Sequence, residues 1–284
     1  ELDDGLELYR VSCPLGVVCV IFEARPDAAV QIATLGIKSA NAVILKGGAE
    51  AARSNAALVA AMRAAISTVM LDDAQFPVDS INLVEGRAAV AELMSMNEHI
   101  DLIIPRGSNE LVQHIQRSTS IPVMGHADGI CHIYVDATAE LETAVAVVVD
   151  GKTQYPAVCN ATETLLVHRD AAPALLPSIG AALLAKGVTL HCDPEARLIM
   201  AAAAGGHEQQ VLAAQPDAFD TEWLSLDLSV KVVDSAPAAV EHVNKHGSGH
   251  TDVIITQESA AAEYFLANVD SATVGHNAST RFAD

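Results

Sequence analysis

The chain has 284 residues, of which 51% are hydrophobic and 18% charged, enough apolar material for a large core and too little charge for a disordered chain. Its 16 Lys and Arg stand against 36 Asp and Glu, a formal net charge of −20 that argues against DNA, RNA and anionic membrane surfaces as partners. An anionic substrate would need those few cations placed locally. The five cysteines (Cys13, Cys19, Cys131, Cys159, Cys192) are odd in number and contain no CxxC pair, which argues against a disulfide framework or a zinc site and for a reducing, cytoplasmic setting. Aromatics make up 4%, so packing must rely on Ala, Val, Leu and Ile, as in helices laid on a parallel sheet. No apolar run approaches the roughly 20 residues of a membrane span. The opening Glu1-Leu-Asp-Asp has no signal- or transit-peptide pattern, and both ends of the chain read as cut.

In chain order, hydrophobic periodicity predicts strands and helices in alternation. Residues 17–22 read as a strand, 28–39 as a helix, 42–46 as a strand and 50–68 as an Ala-rich helix. A strand at 81–84, a helix at 88–96, a strand at 102–104 and a helix at 109–117 follow. Short strands at 122–124 and 131–135 precede a helix at 140–149. The pattern then restarts with a strand at 164–168, a helix at 172–186, a strand at 189–191 and a helix ending in Ala201–Ala204 ahead of Gly205-Gly206. Strands at 230–233 and 253–256 and helices at 238–245 and 260–267 complete it. The expectation is an α/β fold with parallel sheets, in two lobes joined near 151–160 with a ligand cleft between them.

Several segments have the residue types for chemistry. Cys159 falls on a loop ahead of a strand, where it is either an activated nucleophile or an ordinary loop thiol. Lys46-Gly47-Gly48 and Arg106-Gly107-Ser108 each follow a strand and precede a helix. Each is a possible phosphate contact or simply a turn. The GxGxxG pattern is absent, which disfavours a standard Rossmann site. His126, Asp128, Cys131 and His132 lie close together, but Gly125 and Gly129 break the period and loop structure takes precedence over a metal site. His246 to Asp252 reads as a helix end leading into a strand, with structural histidines. Asn277 and Arg281 belong to a polar cluster after a strand, whose plain alternative is a solvated loop.

Together these stretches resemble the γ-glutamyl phosphate reductase (glutamate-5-semialdehyde dehydrogenase) family of the aldehyde dehydrogenase superfamily. The similar pieces are Pro14-Leu-Gly-Val17, Ile21-Phe-Glu-Ala-Arg-Pro26, Ala42 to Gly48, Asp101 to Gly107, Gly125 to His132, Tyr155-Pro-Ala-Val-Cys-Asn-Ala161, Glu163 to His168, His246 to Asp252, Asp270-Ser-Ala272 and Asn277 to Phe282. They occur in family order over nearly the whole chain. The resemblance implies an aldehyde dehydrogenase-like architecture. Residues 1–13 would be part of an oligomerisation element, with a strand at 5–13. Residues 14–127 would be an NADP-binding domain of atypical Rossmann type, and 128–284 a catalytic domain. The family's N-terminal helices and its Gly-rich C-terminal continuation would be missing.

The implied reaction is NADPH-dependent reduction of L-glutamyl 5-phosphate to glutamate 5-semialdehyde, a step toward proline, in a homo-oligomer coupled or fused to a glutamate 5-kinase. Cys159 and Asn160 would be catalytic. Lys46, Gly47, Gly48, Gly107 and Ser108 would bind NADP(H), and Arg25, Arg106, His126, Asn277 and Arg281 the substrate, with no metal. Two departures from ordinary aldehyde dehydrogenases fit this family. Gly125-His-Ala-Asp replaces their general-base Glu stretch, and Arg25 stands where they place an oxyanion Asn. The rivals are another acyl-phosphate or semialdehyde dehydrogenase and an inactive paralogue.

Overall fold

Val17-Val-Cys-Val-Ile-Phe is apolar at every position, as a strand covered on both faces must be. It forms β1 (Val17–Phe22) of the first of two units, residues 1–127 and 128–284. The computed structural model describes residues 9–23, 25–71, 74–86, 88–125 and 128–283. In the first unit α1 (Pro26–Lys38), β2 (Ala42–Lys46), α2 (Ala52–Ile66), β3 (Met70–Leu71), β4 (Ala74–Gln75), β5 (Ile81–Leu83), α3 (Ala88–Ser95), β6 (Leu102–Arg106) and α4 (Asn109–Ser118) follow β1. The parallel sheet runs β5-β2-β1-β6, and β3 and β4 form a small antiparallel pair. Alternation along β1 separates two cores. Val18, Val20 and Phe22 pack with Ala29, Ala33 and Val59, while Cys19 and Ile21 pack with Leu93, Ile103 and Ile115.

The strand expected at 122–124 is only a single bridge between Val123 and Ile103. Pro122 has no N–H for a ladder, and its carbonyl accepts from Ile103 N–H at 2.9 Å. Residues 9–16 are irregular, so no strand occupies 9–13. The rest of the strand expected at 5–13 lies outside the described residues.

The second unit contains β7 (Cys131–Val135), α5 (Leu141–Thr153), β8 (Thr162–His168), α6 (Ala172–Ala185), β9 (Thr189–Cys192), α7 (Pro194–Ala203), β10 (Val211–Ala213), β11 (Asp227–Val233), α8 (Ala236–His246), β12 (Thr251–Ile255), α9 (Ser259–Asn268) and β13 (Thr273–His276). Among the described residues its sheet runs β10-β9-β11-β8-β7-β12-β13, parallel throughout. Helices α5, α6 and α7 cover a face built on Ile133, Leu165, Leu190 and Val230. Tyr134, Leu166 and Ile254 pack with Val240, Val243 and Phe265 on the other face. The second round of alternation therefore begins at β7, not near 151–160. Gly151 of α5 already rests on Ile133 of β7, within 3.1 Å of where a side chain would begin. No helix of the described residues is long and apolar enough to cross a membrane.

A buried polar cluster lies behind β7. The N–H of His132 and its ring Nδ1 both meet Asp252 Oδ1, at 2.7 and 2.9 Å, and the Ser271 hydroxyl donates to the other oxygen of Asp252. The His132 ring meets His242 edge-on at 5.6 Å, and His242 faces Phe219, His246 and the Lys231 ammonium, 3.2 Å from its Nδ1. Burial first, then the neighbouring His132, Lys231, His246 and Lys245, hold the His242 pKa down at about 2. Unfolding frees this imidazole to bind a proton below about pH 6.5, so stability must fall as the pH drops through that value. Between pH 7 and 5 the loss is about 2 kcal/mol. In denaturant titrations, His242→Leu should lose less stability than the parent over that interval by about this amount.

Candidate active site

Pro156 cannot extend α5, and it forces Tyr155 out of the helical region, so the chain leaves the helix and reaches β8 through a loop at 154–161. Cys159 is half-buried in this loop, whose turn is closed by Ala161 N–H donating to Val158 O at 3.0 Å. Asn160 is 2% exposed, and its Oδ1 has no partner among the described residues.

The stretch ahead of β7 forms the wall against which this loop lies. A Cβ on Gly129 would collide with the Cys159 carbonyl and stand 2.7 Å from its Cα, so only glycine allows the two main chains to come so close. The Cys131 thiol donates to the Cys159 carbonyl at 3.3 Å. Burial, then the charge of Asp252, pushes that thiol well up, so it remains a donor. Gly129 N–H donates to Glu222 Oε1 at 2.9 Å, and Ile130 N–H to Ser248 Oγ at 2.9 Å. Residues Gly129 to His132 are thus structural support for the loop. His126 lies outside the described residues. No group of three His, Cys, Asp or Glu is set to hold a metal among them.

Arg281 joins this loop, its Nε donating to Gln154 Oε1 at 3.0 Å, and Thr280 meets Thr162 at 3.2 Å. Asn277 does not. It follows the carboxyl end of β13, whereas Cys159 precedes the amino end of β8, and in a parallel sheet these are opposite edges. The Asn277 amide is taken up by Thr256, accepting from its N–H and donating to its carbonyl, both at 3.0 Å. Sequence reasoning missed Glu222, the link from Cys131 to the loop, and a fully buried pair, Lys152 and Glu163, on either side of it. Neither had a signal in the sequence, since Lys152 lies among Asp150, Gly151 and Thr153 and Glu163 between Thr162 and Thr164.

The first unit holds a cavity of about 870 Å³ at the carboxyl ends of β1, β2 and β5, lined by Glu23, Lys46, Gly48, Asn55, Glu85 and His114 among others. Such strand ends are where open α/β sheets take ligands. Lys46 is 9% exposed, and its ammonium donates to Gly47 O at 2.7 Å. A Cβ at Gly47 would run into the Asn55 amide, and one at Gly48 into the Glu50 carboxylate.

Gly107 and Ser108 are placed differently from expectation. The Glu23 carboxylate accepts Ser108 N–H at 3.1 Å and crowds Gly107, so the start of α4 already carries an anion from the chain itself, and neither residue lines the cavity. Ser108 Oγ instead caps α4. Arg25 and Arg106 are exposed, at the start of α1 and the end of β6. Glu23, Arg25's natural salt-bridge partner, is engaged with Ser108 instead.

Parallel α/β units, a glycine turn over a strand-end cavity and a half-buried loop cysteine define a class. The aldehyde dehydrogenase family model matches residues 3–203, and the chain belongs to that family. Within it, the chain is 51% identical over 284 residues to the γ-glutamyl phosphate reductase of Synechococcus elongatus, covering 100% of this chain and 63% of that relative. It is 52% identical to the enzyme of the same name from Pelotomaculum thermopropionicum, covering 100% of this chain and 62% of the relative. The solved γ-glutamyl phosphate reductase of Thermotoga maritima superposes with a TM-score of 0.88 at 36% identity, over 95% of this chain and 63% of that one. The chain thus spans a little under two thirds of the length of these relatives.

Gly129→Ala tests the close approach at Cys159. It should cost about 1–3 kcal/mol in chemical denaturation, as overpacking does, and speed amide exchange at residues 158–161.

Proposed function

We propose that this chain carries the reductase chemistry of its relatives: reduction of L-glutamyl 5-phosphate to glutamate 5-semialdehyde by NADPH, with Cys159 as nucleophile. The observation that carries this reading is the contrast among the thiols. Burial pushes Cys19 up to about 11, Cys192 up to about 12 and Cys131 well up, whereas Cys159 is half-buried on a braced loop. A thiol nucleophile must be reachable and must lose its proton.

Cys159 attacks the acyl carbon, phosphate leaves with the carbon–oxygen bonding pair, and a thioester remains. Main-chain N–H groups of the loop are the donors for the developing oxyanion, with Asn160 beside them. Glu163 is locked on Lys152 and is not available to activate water against the thioester.

The first-unit cavity has the volume and strand-end position for a dinucleotide. Gly47 and Gly48 let the main chain approach it, Glu23 and Glu85 are acceptors for ribose hydroxyls, and Lys46 supplies a cation. When bound, the cofactor supplies the hydride that reduces the thioester. We assign the phosphoryl contact to Arg25, an exposed cation in a chain with few. A homo-oligomer, a coupling to glutamate 5-kinase and a cytoplasmic location belong to the same reading and rest on the family resemblance.

The test is phosphate-dependent NADP reduction with glutamate semialdehyde, on the whole native polypeptide. Cys159→Ala should abolish turnover and leave NADPH binding intact; parental turnover in that variant would refute the mechanism. Mild iodoacetamide should label Cys159 and the exposed Cys13 ahead of Cys19, Cys131 and Cys192.

Lys46→Ala should raise the KM for NADPH about tenfold, the order expected on losing one charge-assisted contact, and the KM for NADH far less. Equal changes would assign Lys46 to the Gly47 turn alone.

A further inference from the structure

The loop that carries Cys159 leaves α5 just past Lys152 and enters β8 just before Glu163. Both side chains are 0% exposed, and the Lys152 ammonium meets Glu163 Oε2 at 2.5 Å. Burial pushes the Glu163 carboxyl up to about 7 and the Lys152 ammonium down, while their mutual attraction opposes both shifts. Asp227, Cys131 and Glu222 are the other titratable groups acting on the pair. A pair this buried is a poor device for stability, because desolvation offsets most of the attraction and two apolar side chains would pack as well.

What else the pair touches is more informative. The second oxygen of Glu163 accepts the N–H of Leu224 at 3.3 Å. Leu224 is held at a φ of 52°, a left-handed conformation that costs a branched residue energy and is kept only where its surroundings enforce it. Two residues earlier, Glu222 accepts the N–H of Gly129 at 2.9 Å, and Gly129 is the residue whose main chain presses on Cys159. Residues 222–224 therefore strap together the two walls of the nucleophile loop. The Lys152–Glu163 pair ties this strap to both ends of the loop.

We propose that Lys152 and Glu163 are positioning residues for Cys159: the buried pair fixes the two ends of the 154–161 loop and, through the 222–224 strap, its distance from Gly129. This rests on the reading of Cys159 as the nucleophile. A loop tied in this way keeps the thiol and the main-chain donors around it in one geometry, and displacements of about 1 Å at such a centre cost orders of magnitude in rate.

The experiment uses the whole native polypeptide. Glu163→Gln leaves a buried ammonium without its counter-charge and can lower stability for that reason alone. The deciding variant is therefore Lys152→Met/Glu163→Leu, which removes both charges together. It should keep the parent's unfolding temperature within a few degrees. Its kcat should fall about tenfold or more with KM within about twofold, and amide exchange at residues 158–161 should quicken about tenfold, as expected when an interaction made in the transition state is lost. Lys152→Arg keeps the charge pair and should stay within about threefold of parental turnover. Parental kcat and exchange in the double variant would overturn the proposal, and so would loss of its fold, which would make the pair a stability element. An inactive parent whose loop exchange still quickens in the double variant would sink the reductase reading and leave the positioning role standing. An active parent with an unchanged double variant would sink only the positioning role.

Discussion

The contact on which the Cys159 loop depends is that of one main chain against another. Gly129 brings its backbone against that of Cys159 because it has no side chain. Cys131 sits two residues along and donates to the same carbonyl. The amides on either side of the approach are anchored by side chains from distant segments: Glu222 holds Gly129, Ser248 holds Ile130 and Asp252 holds His132. All three anchors lie more than 90 residues away in sequence, so the geometry of the loop is a property of the assembled sheet and cannot form locally.

The first unit solves a different problem with the same means. Its cavity sits where strands end and helices begin, with main chain available at Gly47, where a Cβ would run into the buried Asn55, and at Gly48 beside it. Charge in the wall is mostly negative. Glu23 is already bound to the start of α4, so the Gly107-Ser108 turn, which by its sequence was either a phosphate contact or simply a turn, meets the chain's own carboxylate. A glycine before a helix shows only that backbone is accessible; it does not show which anion arrives there.

The legible part of the fold follows from periodicity. β2 and β7 have the bounds the sequence pattern predicts, Ala42–Lys46 and Cys131–Val135. β10 and β13 were not legible, since Val211-Leu-Ala and Thr273-Val-Gly-His are short edge strands, half exposed, whose character comes from pairing with β9 and β12. Cys159 was legible as a loop cysteine because Pro156 breaks the helix before it. Lys152 and Glu163 were not, because in isolation each reads as a surface residue at the end of an element. Only the fold shows that both lie inside. Asn277 is the converse case: a polar residue in a recognisable stretch that the parallel sheet carries to the edge opposite that of Cys159.

The orientation of α5 has an electrostatic consequence. In a parallel α/β layer the helices run against the strands, so the amino edge of the sheet is where helices finish. α5 ends at Thr153, immediately before the Cys159 loop, and presents its carbonyl end, the partially negative pole of the helix, toward it. This is the reverse of a cysteine seated at a helix's amino end, where the pole is partially positive. Lys152, in the last turn of α5, is the cation that faces this pole from within, and its charge is shared with Glu163. The dipole of α5 is therefore no source of positive potential for the Cys159 loop, and an anion handled there must be met by main-chain N–H groups or by a cation from elsewhere.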